Sequence, residues 1–369
     1  MAGHMRAYPG DEGWADRQHS QGRRVKRNRT CGKAGVMNIL SFKALATKNE
    51  TLVAVVIVAF CTLATLSDPL FLSVTTLTDL MRASVVIGIL AVAAMMVLIS
   101  GGIDVSFTAI AVFAMYSTTV FTLAVMPDMP WYFIFAISIG IGALLGAING
   151  FFVVICRLPT LIVTLGTLSV FRGFLLTFIG SQRISALPPE MRGFSRMMIA
   201  RGTTEAGSFY AIPWAFAALV IVVLLTLFIL HKTMLGRSIF AIGGSLESAR
   251  RIGINVRGAQ FFVYCYVGAL AGLAGIIHGA MGRMADPFSL VGLELSVIAA
   301  VVLGGARLIG GYGTLTGTLL GVSLIVLVEN SLIVIGIPST WQFVTIGLLI
   351  LLGTGLPAWQ AKRAAAKSA

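Results

Sequence analysis

HKTMLGRSIFAIGGSLESARRIGINVRG, residues 231–258, is basic, partly polar, and framed on both sides by long apolar segments. In a chain with few polar loops, such a stretch is a candidate docking surface. Its centre reads as a short capped helix over 246–252. The Ser245 hydroxyl stands where it can accept from an orphan N–H of the first turn, and Glu247 sits where the helix dipole favours an anion. Gly253 occupies the position at which a left-handed residue stops a helix. Arg250 and Arg251 favour the negative end of the dipole and can meet acidic groups on a partner. Two turns are not stable alone in water. The helix must therefore rest on the rest of the chain or on another protein.

Outward from this loop the chain is membrane material. Hydrophobic residues make up 57% of its 369 positions and charged residues 11%, against about 25% charge in an average soluble domain. The net charge of +13 would point to nucleic acid in a soluble protein. Here the basic residues gather in particular loops, which is the pattern of membrane orientation. At about 20 apolar residues per crossing, ten spans are expected, over 50–67, 84–100, 105–126, 131–155, 160–180, 213–231, 260–280, 291–305, 313–334 and 341–356. The expected fold is an all-α polytopic membrane protein with broken or re-entrant glycine-rich segments. The stretch 291–305 is the short one and the candidate for re-entry.

Charge bias orients the bundle. With the amino terminus inside and ten crossings, the inner side receives Lys43, Lys48, Arg157, Lys232, Arg237, Arg250, Arg251, Arg257, Arg307, Lys362, Arg363 and Lys367. The outer side receives Arg82, Arg183, Arg192, Arg196, Arg201 and Arg283. That ratio of roughly two to one places both termini and the loop 231–258 in the cytoplasm. The stretch 181–212 is then an outer-face loop, long enough to form a small subdomain. Residues 1–36 are polar, glycine-rich and basic, and are expected to be a disordered tail or a non-native leader upstream of Met37. The single transmembrane domain is expected over 37–369.

Irregular backbone at membrane depth must be buried in protein or line a wet cavity. Gly142, Gly146 and Gly150 recur every four residues, the spacing that lets two helices approach closely. The doublets Gly101-Gly102 and Gly310-Gly311 end spans and read as true breaks. Charges inside spans are costly and rarely accidental. Asp104 and Glu294 lie beside breaks and read as structural, with internal partners. Arg172 and Asn330 are open between packing and the solute path, and Glu329 lies beside Asn330. His278, alone in an apolar stretch, reads as a core histidine. Cys31, Cys61, Cys156 and Cys265 are scattered, with no metal-ligand spacing. No phosphate-binding loop, metal set or nucleophile with a base is present in the sequence. The chain can bind and move a solute but carries no visible means of hydrolysing ATP.

From about 77 to 356 the chain resembles the ribose-type permease family, the membrane subunits of ABC importers for monosaccharides. The resemblance rests on an ordered set of segments: LISGGIDVS (98–106), GAINGFFVVICRLPTLIVTLGTLSVFRG (146–173), GRSIFAIGGSLESARRIGINV (236–256) and VGLELSVIAAVVLGGARLIGGYGTLTGTLLG (291–321). Ser245 replaces the family's Asn, Ser248 one of its paired alanines, Ser296 its Asp, and Phe107 its usual Gly. These departures bear on which sugar is carried.

The resemblance implies a second permease chain, identical or related, and a cytoplasmic ATP-binding subunit that holds ATP and Mg, with none in this chain. It further implies a periplasmic sugar-binding protein and no nucleic-acid partner. It makes 231–258 the coupling loop, with Glu247, Ala249, Arg250 and Gly253 facing the ATPase. A neutral, hydroxyl-rich solute needs uncharged donors and acceptors with apolar or aromatic faces. Asn149, Thr164, Thr167, Phe171 and Asn330 are the candidates for its path, the middle three sharing one helix face at i, i+3 and i+7. The competing expectations are an ABC permease for branched-chain amino acids or nucleosides, and an ATP-independent secondary transporter, whose broken helices would also give glycine interruptions.

Overall fold

The structure, a computed structural model, describes residues 49–67, 71, 73–203, 209–334, 338, 341–342, 344–348 and 351. The tail 1–36 and much of the expected span 341–356 lie outside them. The named elements run α1 (Asn49–Ser67), α2 (Val74–Ile99), α3 (Phe107–Val125), α4 (Trp131–Gly150), α5 (Thr160–Phe174), α6 (Pro189–Arg196), β1 (Met198–Thr203) and β2 (Phe209–Pro213). They continue as α7 (Trp214–Lys232), α8 (Met234–Gly244), α9 (Leu246–Arg251), α10 (Val256–Gly282), α11 (Leu293–Leu303) and α12 (Leu315–Val334). α4 and α5 are each prolonged by one π-helical turn, Phe151–Ile155 and Leu175–Ile179.

Among the described residues, six helices are long and apolar enough to cross a bilayer: α2, α3, α4 and α5 with their extensions, α7 and α10. Three shorter apolar helices lie over Val53–Leu66, Leu293–Leu303 and Leu315–Ser331. α11 is about 16 Å long at 1.5 Å per residue, half of a hydrocarbon core of about 30 Å. The described chain is a multi-pass, mostly helical membrane protein. The small antiparallel pair β1–β2 is its departure from an all-α fold, and it falls in the expected outer loop 181–212. That loop is tied down by the bridge Ile184↔Ala285 and by Arg183 and Asp286 at 2.7 Å.

α2 is the innermost helix. Every residue over 85–99 is buried, as expected of a helix apolar on all sides and enclosed by others. It starts ten residues before the expected span, capped by the Ser73 hydroxyl, which accepts from the Thr76 amide at 3.2 Å. The missed turns carry Thr, Asp79 and Arg82, so hydropathy alone did not extend into them.

α4 and α10 pack backbone to backbone. A Cβ on Gly142 would lie 2.9 Å from the Gly272 Cα, and one on Gly146 2.9 Å from the Gly268 Cα, besides still closer approaches to carbonyl oxygens. The Ser138 hydroxyl donates to the Gly272 carbonyl at 2.8 Å across the same seam. The four-residue glycine spacing is thus a helix-packing feature, as its period implied.

Candidate functional site: a docking helix and the glycine junction beneath it

α9 is built as its sequence dictates. Ser245 Oγ accepts from the Ser248 amide at 3.2 Å, and at the other end the chain closes a paired C-cap. The Gly253 amide donates to Arg250 O, and the Ile254 amide donates to Ala249 O, both at 3.1 Å. Gly253 has φ +81°, so this pair of bonds rests on a left-handed residue, the role its position predicted. Ile254 completes the motif by packing with Ala249, Ile242, Val256 and Ala259. The following helix, α10, is capped in turn by Asn255, whose Oδ1 accepts from the Gly258 amide at 3.0 Å.

Of the residues expected to face the ATPase, Glu247, Arg250 and Gly253 are exposed. Ala249 is not: it is 1% exposed and anchors α9 to the bundle. The correction follows from helix geometry, since a two-turn helix resting on a protein must spend one side chain inward. In its place the surface carries Ile252, 73% exposed, and Leu246. Sequence reading passed over both, although two apolar residues flanking a charged pair on a loop helix were the available signal. Arg251 Nη2 and Glu247 Oε1 pair at 2.5 Å on this face. With both side chains solvated, that bond adds little stability.

Beneath α9 lies a junction of three glycine doublets. The Gly311 amide donates to Ile99 O at the end of α2, at 2.9 Å. A Cβ on Gly243 would meet Gly311 N at 2.5 Å and Ile99 O closer still. One on Gly310 would lie 2.6 Å from Gly101 Cα, and one on Gly311 2.9 Å from Gly244 Cα. Gly101 and Gly310, at φ +84° and +96°, break the helical run as expected. What the sequence did not reveal is that the doublets at 101–102, 243–244 and 310–311 meet one another. α9 therefore begins three residues after Gly243, whose backbone meets the end of the central helix at Ile99.

A second polar cluster lies among α3, α5 and α11. Arg172 Nη2 meets Glu294 Oε1 at 2.6 Å, and Thr108 Oγ1 donates to the same oxygen at 2.5 Å. Ser106 donates through both its amide and its hydroxyl to Asp104 Oδ1 at 2.7 Å, and Asn149 Nδ2 donates to Ser106 Oγ at 2.7 Å. Glu294 and Asp104 thus have the internal partners expected of them, and Arg172 is the partner of Glu294.

Of the five expected path residues, four lie together. Thr164 Oγ1 reaches Ile103 O and Thr167 Oγ1 reaches Thr164 O, both at 3.3 Å. Phe171 is set edge-on to Phe113 with ring centres 6.4 Å apart. With Asn149, these residues pack against α3 and the segment before it. Asn330 stands apart on α12, its Nδ2 donating to Val326 O at 2.8 Å.

Residues 76–353 match the family described as branched-chain amino acid transport system / permease component. The chain is 30% identical over 312 residues to the autoinducer 2 import system permease protein LsrC of Yersinia enterocolitica, covering 84% of this chain and 83% of that one. The protein of the same description from Enterobacter sp. is 32% identical, covering 77% of this chain and 79% of that one. That of Escherichia coli is 31% identical over the same shares. No solved structure matches. The chain belongs to this permease family and is the permease subunit of an ABC importer, a transport component whose ATP hydrolysis lies in a separate subunit. Membership implies an ATP-binding and a substrate-binding partner, and sets aside the ATP-independent transporter.

Proposed function

We propose that this permease carries a small, uncharged, hydroxyl-rich solute inward across the bacterial inner membrane, a monosaccharide or a compound of the size and polarity of autoinducer 2. The relatives, autoinducer 2 import permeases by name, support the solute class, and the loop charges support the direction of insertion. The chain crosses ten times with both termini cytoplasmic, and α11, too short to cross alone as a helix, is the helical part of a broken span. The loop 232–258 faces the cytoplasm and 181–212 the periplasm, where a solute-binding protein delivers its cargo. A second permease chain, identical or related, completes the path. ATP and Mg belong to the partner subunit, and no nucleic acid is involved.

The observation that carries this reading is α9: a capped, anchored two-turn helix whose exposed face holds Glu247, Arg250, Arg251 and Ile252. Such a surface suits a groove with acidic and apolar walls on an ATP-binding subunit. Asn330 is assigned to the solute path ahead of the face formed by Thr164, Thr167 and Phe171, because that face spends its groups within the chain. Asn149 is likewise committed to Ser106.

Two measurements test the proposal. An ATP-binding subunit should co-purify with the detergent-solubilised protein, and the reconstituted importer should take up labelled autoinducer 2 or D-ribose. The family description favours a second reading, import of a branched-chain amino acid. Uptake of L-leucine with neither hydroxylated solute would establish it instead.

A further inference from the structure

A cavity of about 580 Å³ opens between α2, α10, α12 and the segment before α11. Its polar wall is made by Asp79 and Arg82 of α2, His278 of α10 and Asn330 of α12. His278, which the sequence suggested was a core histidine, is half-buried and faces this space. The volume falls in the range of small-molecule sites, about 300–1,000 Å³. Among the described residues, neither Asp79 nor Arg82 makes an ion pair. Asn330 spends its Nδ2 on Val326, leaving its carbonyl oxygen to accept.

The geometry points to this cavity as a solute site for a neutral polyhydroxylated molecule, an inference that rests on the import function proposed above. One carboxylate and one guanidinium give the wall no net charge, so an ion of either sign would leave one of them uncompensated. A hydroxyl both donates and accepts. It can give its proton to Asp79 or Asn330 and take an N–H from Arg82, with His278 serving on either side. Val86, Met281 and Leu293 supply apolar wall for the C–H faces of a sugar ring. A branched-chain amino acid could set its ammonium on Asp79 and its carboxylate on Arg82, but its aliphatic side chain would leave His278 and Asn330 without partners.

Position in the fold supports the assignment. The start of α2 and the ends of α10 and α12 meet here, all on the outer side in the proposed orientation. A second chamber of about 290 Å³ adjoins across Leu290 and Leu293 and carries Ser296, Glu329 and Gln342, so polar groups continue beyond the first. Leu290 holds φ +63° and Gly292 +87°, a left-handed turn that is costly for a leucine and fixes the partition between the chambers. From Arg82, α2 runs about 26 Å, at 1.5 Å per residue, to the glycine junction under α9. The cavity and the segment that leads into α9 thus adjoin opposite ends of one helix.

The test uses the complete importer in its own host, with uptake of labelled autoinducer 2, D-ribose and L-leucine measured for the parent and for Asp79→Asn, Arg82→Met, His278→Phe and Asn330→Leu. Co-purification of the ATP-binding subunit reports assembly. At least two of the variants should assemble and lose tenfold or more in uptake of the hydroxylated solute. Asn330→Gln and His278→Asn, which keep hydrogen-bonding capacity, should shift the ratio of autoinducer 2 to D-ribose uptake by fivefold or more. A purely structural role would not move that ratio. Should the parent import a hydroxylated solute while every assembled variant keeps its rate and ratio, the cavity assignment falls and the proposed function stands. Should the parent import L-leucine alone, or none of the three, the proposed function falls and this inference with it.

Discussion

Arg172 and Glu294, separated by 122 positions in the chain, meet at 2.6 Å between α5 and α11. Glu294 is nearly enclosed, and its Oε1 also accepts from Thr108. The pair fastens the short helix α11 to two longer ones. Removing one partner of an enclosed ion pair costs about 3–5 kcal/mol, while replacing both with apolar groups can be nearly neutral. Glu294→Ala should therefore lower the thermal midpoint of the detergent-solubilised protein sharply. The double variant Arg172→Met, Glu294→Leu should recover most of the loss. A single variant as stable as the parent would show that the pair does not hold α11.

Gly253 and its neighbours give a test of the docking helix. A Cβ at this position meets nothing within 4 Å, so any effect of substitution is a backbone effect. A β-branched residue in the left-handed region costs on the order of 1–2 kcal/mol. Gly253→Val should insert normally yet assemble poorly with the ATP-binding subunit or fail to stimulate it. Gly253→Asn, which tolerates that conformation, should behave like the parent. Full solute-stimulated ATP hydrolysis by Gly253→Val in proteoliposomes would remove α9 from coupling.

Two adjacent glycines in α8 should respond in opposite ways. A methyl on Gly243 collides with Gly311 N and Ile99 O, whereas one on Gly244 meets nothing within 4 Å. Gly244→Ala should change stability by no more than about 0.5 kcal/mol. Gly243→Ala should force the ends of α2 and α8 apart and lower both stability and coupled transport. Equal behaviour of the two variants in a melting assay would contradict the junction.

Phe171 and Thr167 separate packing from passage. Truncating a buried Phe costs about 3–5 kcal/mol, so Phe171→Ala should lower the amount of folded protein. Uptake per folded molecule should change little in either Phe171→Ala or Thr167→Val. A fall in uptake per molecule with an unchanged melting midpoint would return this face to the solute path.

Orientation is open to direct labelling. In a background without the four native cysteines, single cysteines replacing Ser195 and Ser245 should react oppositely with an impermeant thiol reagent in intact cells. Position 195 should label from outside and position 245 only after permeabilisation. External labelling of 245 would invert the proposed topology.

The membrane class, most helix positions, the caps of α9 and the glycine seam of α4 were legible in the sequence, because each depends on local chemistry. Apolar length, the Ser245 cap and the Gly253 stop act within a few residues and need no knowledge of the fold. The family was legible too, since its motifs lie in order along the chain. The sequence could not tell that Ala249 turns inward, that α2 begins at Val74, or that 291–305 yields only eleven helical residues. Those outcomes depend on what each segment packs against. Nor could it bring together Arg172 with Glu294, the three glycine doublets, or Asp79, Arg82, His278 and Asn330 around one cavity. Such meetings join residues far apart in sequence, and only the packing of helices in three dimensions decides which distant side chains share a space.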